Sequence, residues 1–248
     1  MVRYKLFLLL VALMPALIDP AFSAELLIFA GSGMRSPLEE LGRDFTVETG
    51  IEVFYDFDGS GRLGSKILTG IKPDMFIPGS DKWADKLKEK GAIKQCFPLA
   101  YHVPVIVTPK GRDKVKSLQD LTNKDYKLAL GDAKAAAIGQ NNQQLFKKLG
   151  INYADMNVVA RGIAVKQLLQ WVESGAVDAA IVWHADAVQS KLVDMIELPQ
   201  QLNSIDQIPL CLMQAPPHPR EVAKFWKYLL ENGPRIFAKH GFQTLPLP

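Results

Sequence analysis

The sequence predicts an α/β fold in two lobes, and three observations point there. Short, buried-type apolar runs alternate with amphipathic helical stretches along the chain. The junctions from run to helix are rich in Gly, Ser and Ala. Two such alternating series follow one another, separated by extended segments near residues 100–108 and 205–213.

In the first series, Leu26-Leu27-Ile28-Phe29 is a strand ending at Ala30-Gly31-Ser32-Gly33, and a helix from Ser36 buries Leu38, Leu41 and Phe45 before stopping at Gly50. Ile51 to Tyr55 is the second strand, which runs into Asp56-Phe57-Asp58-Gly59-Ser60-Gly61 and a helix holding Leu63, Ile67 and Leu68. Asp74-Met75-Phe76-Ile77 is the third, broken by Pro78-Gly79, with Ser80 or Asp81 placed to cap a helix carrying Trp83 and Leu87. Strand, turn and helix in threefold repetition imply parallel strands joined by right-handed crossovers. Val103 to Thr108 contains Pro104 and is expected at an edge or as a crossing segment.

The second series has strands at Lys127–Leu130, Asn157–Val159 and Ala179–Trp183. Its helices carry Leu145, Phe146 and Leu149, then Val165, Leu168, Leu169 and Val172, then a short piece from Ala185. Ile208 to Met213 is again strand-like, and two helices, Glu221 to Leu230 and Arg235 to Lys239, are expected on either side of Pro234.

The chain has 248 residues, 48% apolar and 22% charged, which suits a packed core and excludes a disordered or rod-like chain. With 29 Lys and Arg against 26 Asp and Glu, its net charge of +3 lacks the basic excess of a nucleic-acid binder. The start differs from the rest: Arg3 and Lys5 precede the apolar run Leu6–Ile18, and small residues follow to Ala24. That is the pattern of a secretory signal, cleaved after Ser23 or Ala24, and the run is shorter than the roughly 20 residues that span a bilayer. An exported, periplasmic protein is expected, in which Cys96 and Cys211 form a disulfide or stay as two buried thiols.

Gly31-Ser32-Gly33 and Gly59-Ser60-Gly61 occupy equivalent places, each between a strand and a helix. Glycine admits close approach of a ligand to the backbone, serine supplies a donor, and the first helical turn presents unpaired amides with partial positive charge. A lone Gly-Ser-Gly turn is usually structural; two at corresponding ends favour an anion site. Ala133 to Gly139 and Arg161 to Val165 enter helices of the second series in the same manner. Arg35, Arg62, Lys134, Arg161 and Lys166 lie near these turns as rim charges or anion contacts. No Gly-x-x-x-x-Gly-Lys-Ser/Thr loop and no Gly-x-Ser-x-Gly elbow occurs, and His102, His184, His218 and His240 have no metal-ligand spacing. The reading is a binder without cofactor rather than an enzyme; a more remote alternative is an enzyme using His184 with Asp186.

Phe29-Ala30 and its small-residue turn, Asp74-Met75-Phe76-Ile77 with Asp81-Lys82-Trp83, Gly131-Asp132, Ile181-Val182-Trp183 with Asp186-Ala187-Val188, and the ending Ile236 to Phe242 resemble the periplasmic molybdate-binding proteins. The resemblance implies a type II periplasmic-binding fold of mixed sheets flanked by helices, closing over a tetrahedral oxyanion. It implies a monomer serving the membrane permease of an ABC importer, with metal entering only as molybdate or tungstate. Ser60 matches the family's second serine, and Ile138 and Val165 fall where backbone amides bind. The first family serine aligns with Gly33, leaving Ser32 one residue early, and Trp183 aligns with a tyrosine, where it donates through its indole or walls the cleft. The expected organisation is a signal at 1–24, one lobe from 25–105 and 207–248, and the other from 106–206. The alternative ligand is a small organic or phosphorylated anion paired with Arg35 and Arg62.

Overall fold

The computed structural model describes residues 25–134 and 136–244. The expected signal segment lies outside them.

Two five-stranded sheets form the molecule. The first contains β1 (Glu25–Gly31), β2 (Glu52–Asp58), β3 (Met75–Ile77), β4 (Ile93–His102) and β10 (Asp206–Met213), in the order β2-β1-β3-β10-β4. The second contains β5 (Pro104–Pro109), β6 (Leu128–Gly131), β7 (Val158–Gly162), β8 (Ala179–Trp183) and β9 (Val193–Glu197), in the order β7-β6-β8-β5-β9. Strands β1, β2 and β3 run parallel, as do β6, β7 and β8, while β10 pairs antiparallel with β3 and β4, and β5 with β8 and β9. Both sheets are therefore mixed.

Alternation along β1 sets the layering of the first sheet. Leu26, Ile28 and Ala30 face Leu38, Leu41 and Phe45 of α1 (Arg35–Thr49) and Val222, Phe225 and Leu229 of α7 (Pro219–Lys239). Phe29 faces the other way, toward Leu63 and Ile67 of α2 (Ser60–Leu68) and Ala84 and Leu87 of α3 (Asp81–Glu89). In the second sheet, β5, β6 and β8 share one core with Leu145 and Phe146 of α4 (Ala137–Leu149), Leu168 and Val172 of α5 (Val165–Glu173) and Ala187 of the short α6 (His184–Ala187). Gly50 ends α1 in the left-handed conformation at φ 73°.

Two sequence expectations need correction. Val103 to Thr108 is no edge: β5 lies between β8 and β9. Its prolines occupy only the first and last positions, so Val105 to Thr108 keep their ladder donors. The two helices expected around Pro234 are one, α7, because burial of Val222, Phe225, Leu229, Ile236 and Phe237 outweighs the one amide that Pro234 lacks. Strands β4 and β9 were not anticipated; in β4, Pro98 meets Pro209 of β10 beside a register shift.

The question left open at the cysteines is answered by register. Cys96 of β4 and Cys211 of β10 are directly opposed and form a disulfide, closing a loop with a sequence separation of 115. The chain crosses between the sheets at Val103 and again through residues 198–205.

Candidate functional site

In each sheet the carboxyl ends of the parallel strands lie along one edge, where ligands of open α/β sheets are held. The helices that begin there have Gly59, Ala136 and Ala164 at their N-caps, none with a side chain that can cap. Ser80, before α3, does not bond its helix either. First-turn amides without intrahelical partners, at the positive ends of their helices, thus gather on both edges.

The six residues singled out from sequence lie along these two edges. Ser32 and Gly33, in a short 3-10 turn after β1, are exposed. Ser60 opens α2 half-buried, and its Oγ accepts from the Gly79 N–H at 3.0 Å. The Ser60 hydroxyl hydrogen remains available to a ligand oxygen. Ile138 has a buried side chain in the first turn of α4, which packs so closely on the end of β6 that a Cβ on Gly131 would lie 2.5 Å from the Gly139 nitrogen. Val165 is the first residue of α5. Trp183, 5% exposed, ends β8 and lays the flat of its ring on His102 at 4.8 Å between centroids.

His102 was not singled out from sequence, yet it joins the edges. It ends β4; its Cε1 lies 3.9 Å from the position of a Cβ on Gly33, and its Nε2 3.7 Å from that of a Cβ on Gly79. Burial holds its pKa at about 4, so the ring is neutral near pH 7. The available signal was a histidine at the end of an extended run, just before the crossing at Val103; its burial depends on Gly33, Trp183 and Phe242, which are distant in sequence.

Three of the nearby cations are occupied elsewhere. Arg35 pairs with Glu39 at 3.1 Å and stacks on Phe57, Arg62 meets Asp58 at 3.4 Å, and Arg161 lies over Tyr153. Lys134 and Lys166 are exposed. Near Lys166, Asp186 is raised to about 6 by burial, with the lysine opposing the shift. His184 does not pair with Asp186: its Nδ1 is 2.7 Å from the Gly241 carbonyl oxygen. A separate cavity of about 420 Å³, lined by Val103, Val105, His184, Leu198, Asn203 and Ile205, lies at the crossings rather than at the helix starts.

Two α/β lobes, each a mixed sheet flanked by helices, define a periplasmic-binding-protein fold. Residues 26–243 match the bacterial extracellular solute-binding proteins, and the chain belongs to that family. A Haemophilus influenzae protein described only as a binding protein is 27% identical over 225 residues, covering 89% of this chain and 91% of its own. The molybdate-binding protein ModA of Escherichia coli is 27% identical over 235 residues, 90% of each. The substrate-binding domain assigned to a molybdenum ABC transporter of Clostridium difficile superposes with a TM-score of 0.78 at 23% identity, covering 90% of this chain and 100% of that domain. These comparisons bear out the likeness to molybdate-binding proteins. The relatives are solute-binding proteins, and this chain is a binder rather than an enzyme.

Proposed function

We propose that the protein captures a small, dehydrated tetrahedral oxyanion, molybdate or tungstate, between its lobes and delivers it to the membrane permease of an ABC importer. The observation that carries this reading is the set of helix starts at Gly59, Ala136 and Ala164, uncapped by side chains, at the strand ends of both sheets. Such amides replace the hydration of an anion with charge-assisted hydrogen bonds and need no opposing cation. The donors are the hydroxyl of Ser60, the turn at Ser32 and Gly33, and the amides of Ile138 and Val165, with Trp183 as a wall. The occupation of Arg35 and Arg62 by Glu39 and Asp58 favours a bare oxyanion over a phosphate ester.

Lobe one, expected as residues 25–105 and 207–248, and lobe two, expected as 106–206, hinge at the two crossings, which end within two residues of those boundaries. The protein works as an exported monomer in the periplasm, its signal removed; the molybdate-binding name of the Escherichia coli relative supports the ligand class.

The test is thermal unfolding across molybdate, tungstate, sulfate, phosphate and a phosphate ester. A ligand at 100 times its Kd adds about 2.7 kcal/mol. Stabilisation by molybdate and tungstate alone is the expected result. Silence from both, with a response to the ester, would keep the fold and overturn the ligand.

A further inference from the structure

His102 stands where the two edges meet, and one of its nitrogens is not provided for. The residue is 7% exposed, and Trp183 and Phe242 pack against its ring. Its Nδ1 is sealed from solvent with no hydrogen-bond partner. Packing alone would be served by an apolar ring, which strands no nitrogen.

The stranded nitrogen also determines the tautomer. A proton on Nδ1 would bury a donor with no acceptor, the rarer defect in folded proteins; a proton on Nε2 leaves Nδ1 merely an unused acceptor. The neutral ring therefore carries its hydrogen on Nε2. That atom and Ser60 Oγ lie 3.7 and 3.8 Å from a single point, the place a Cβ on Gly79 would fill. Glycine keeps the space between the two donors open.

We propose that His102 is a specificity-determining residue of the anion cleft, donating from Nε2–H to one oxygen of the bound oxyanion beside the Ser60 hydroxyl. Such a donor offers no acceptor for the hydrogen of a ligand hydroxyl, so it selects a fully ionised tetrahedral oxyanion over one that keeps a proton, as hydrogen phosphate does. This rests on the oxyanion reading above and names the residue that sharpens it.

Calorimetric titrations of molybdate, sulfate and phosphate into the natural protein, His102→Phe and His102→Gln test the proposal. Phenylalanine keeps a ring on Trp183 without nitrogen; glutamine supplies an amide that both donates and accepts. His102→Phe should weaken molybdate by about 10- to 150-fold, the worth of one hydrogen bond to a charged group. Its ligand-free thermal midpoint should be no lower than that of the natural protein. His102→Gln should recover part of the loss and narrow the preference for molybdate over phosphate. Molybdate binding by His102→Phe within about twofold of the natural protein overturns the donor role alone. A weakened affinity that follows a lowered ligand-free midpoint in both variants overturns it too, assigning the ring to packing. If the natural protein binds none of the three anions, the oxyanion reading fails and this inference falls with it.

Discussion

Replacing Val165 by proline removes one N–H from the cleft and little else. Val165 is the first residue of α5, where the amide has no partner within the helix and proline is well tolerated. The preceding Ala164 is extended, at φ −143° and ψ 145°, the conformation a following proline prefers. The first turn is otherwise closed by the Gln167 N–H, which donates to the Ala164 carbonyl at 3.1 Å and is untouched. The ligand-free protein should lose less than about 1 kcal/mol. If the amide holds an oxyanion, its removal costs about 1.5–3 kcal/mol, or roughly 10- to 150-fold in Kd. Calorimetric titration with molybdate, alongside urea unfolding, measures both quantities. Val165→Ala, which keeps the N–H, should bind within about twofold of the natural protein. Undiminished affinity in Val165→Pro would remove α5 from the site, and equal losses in both variants would trace the effect to side-chain packing.

Four further outcomes are expected. Ser60→Ala should weaken molybdate by about 1.5–3 kcal/mol in the same titration, and an unchanged Kd would remove Ser60 from the site. Arg62→Ala, which cuts an exposed pair with Asp58, should change molybdate affinity by less than about threefold; a severe loss would favour a phosphorylated ligand. Acid acts on His102 and Asp186 in opposite senses. With its folded pKa at about 4, His102 takes its proton first in the unfolded chain, so stability falls as pH drops from about 6.5 to 4; Asp186, at about 6, takes its proton first in the folded state, so stability rises as pH drops from about 6 to 4. His102→Phe should therefore gain about 2–3 kcal/mol over the natural protein between pH 7.5 and 4.5 in urea unfolding, whereas parallel curves would refute the depressed pKa. Replacing both Cys96 and Cys211 by alanine should cost about 4–5 kcal/mol for a loop of this separation, and a loss under about 1 kcal/mol would contradict the chain-entropy account.

Elements whose evidence is local were legible in the sequence. Strand β8 matches the expected Ala179–Trp183 at both ends, because a short apolar run between turn residues admits few other readings. The alternation of Leu26, Ile28 and Phe29 and the stop at Gly50 are equally local. Strand β4 was missed because Lys94, Gln95 and Pro98 interrupt any apolar pattern, and β9 because Asp194 and Glu197 do so. Their pairing with β10 and β5 is a long-range fact. In the site, the turns could be read because glycine and serine have backbone meaning where they stand. The partners of Arg35 and Arg62, and the burial of His102 against Gly33 and Trp183, follow only from tertiary neighbours.

Strand β10 reaches its place from far along the chain, between β3 and β4, two strands made more than a hundred residues earlier. A chain emerging amino end first, from a ribosome or an export channel, holds β1 to β4 long before it can seat the strand that joins them. The sheet built from β5 to β9 has all its strands in one continuous stretch and can close first. The earlier sheet stays divided until residue 213 is free, and Cys96 has no partner until Cys211 arrives. Placing the last strand inside the first sheet, between β3 and β4, thus keeps the leading half of the chain open while the rest is made, and lets oxidation seal it only at the end.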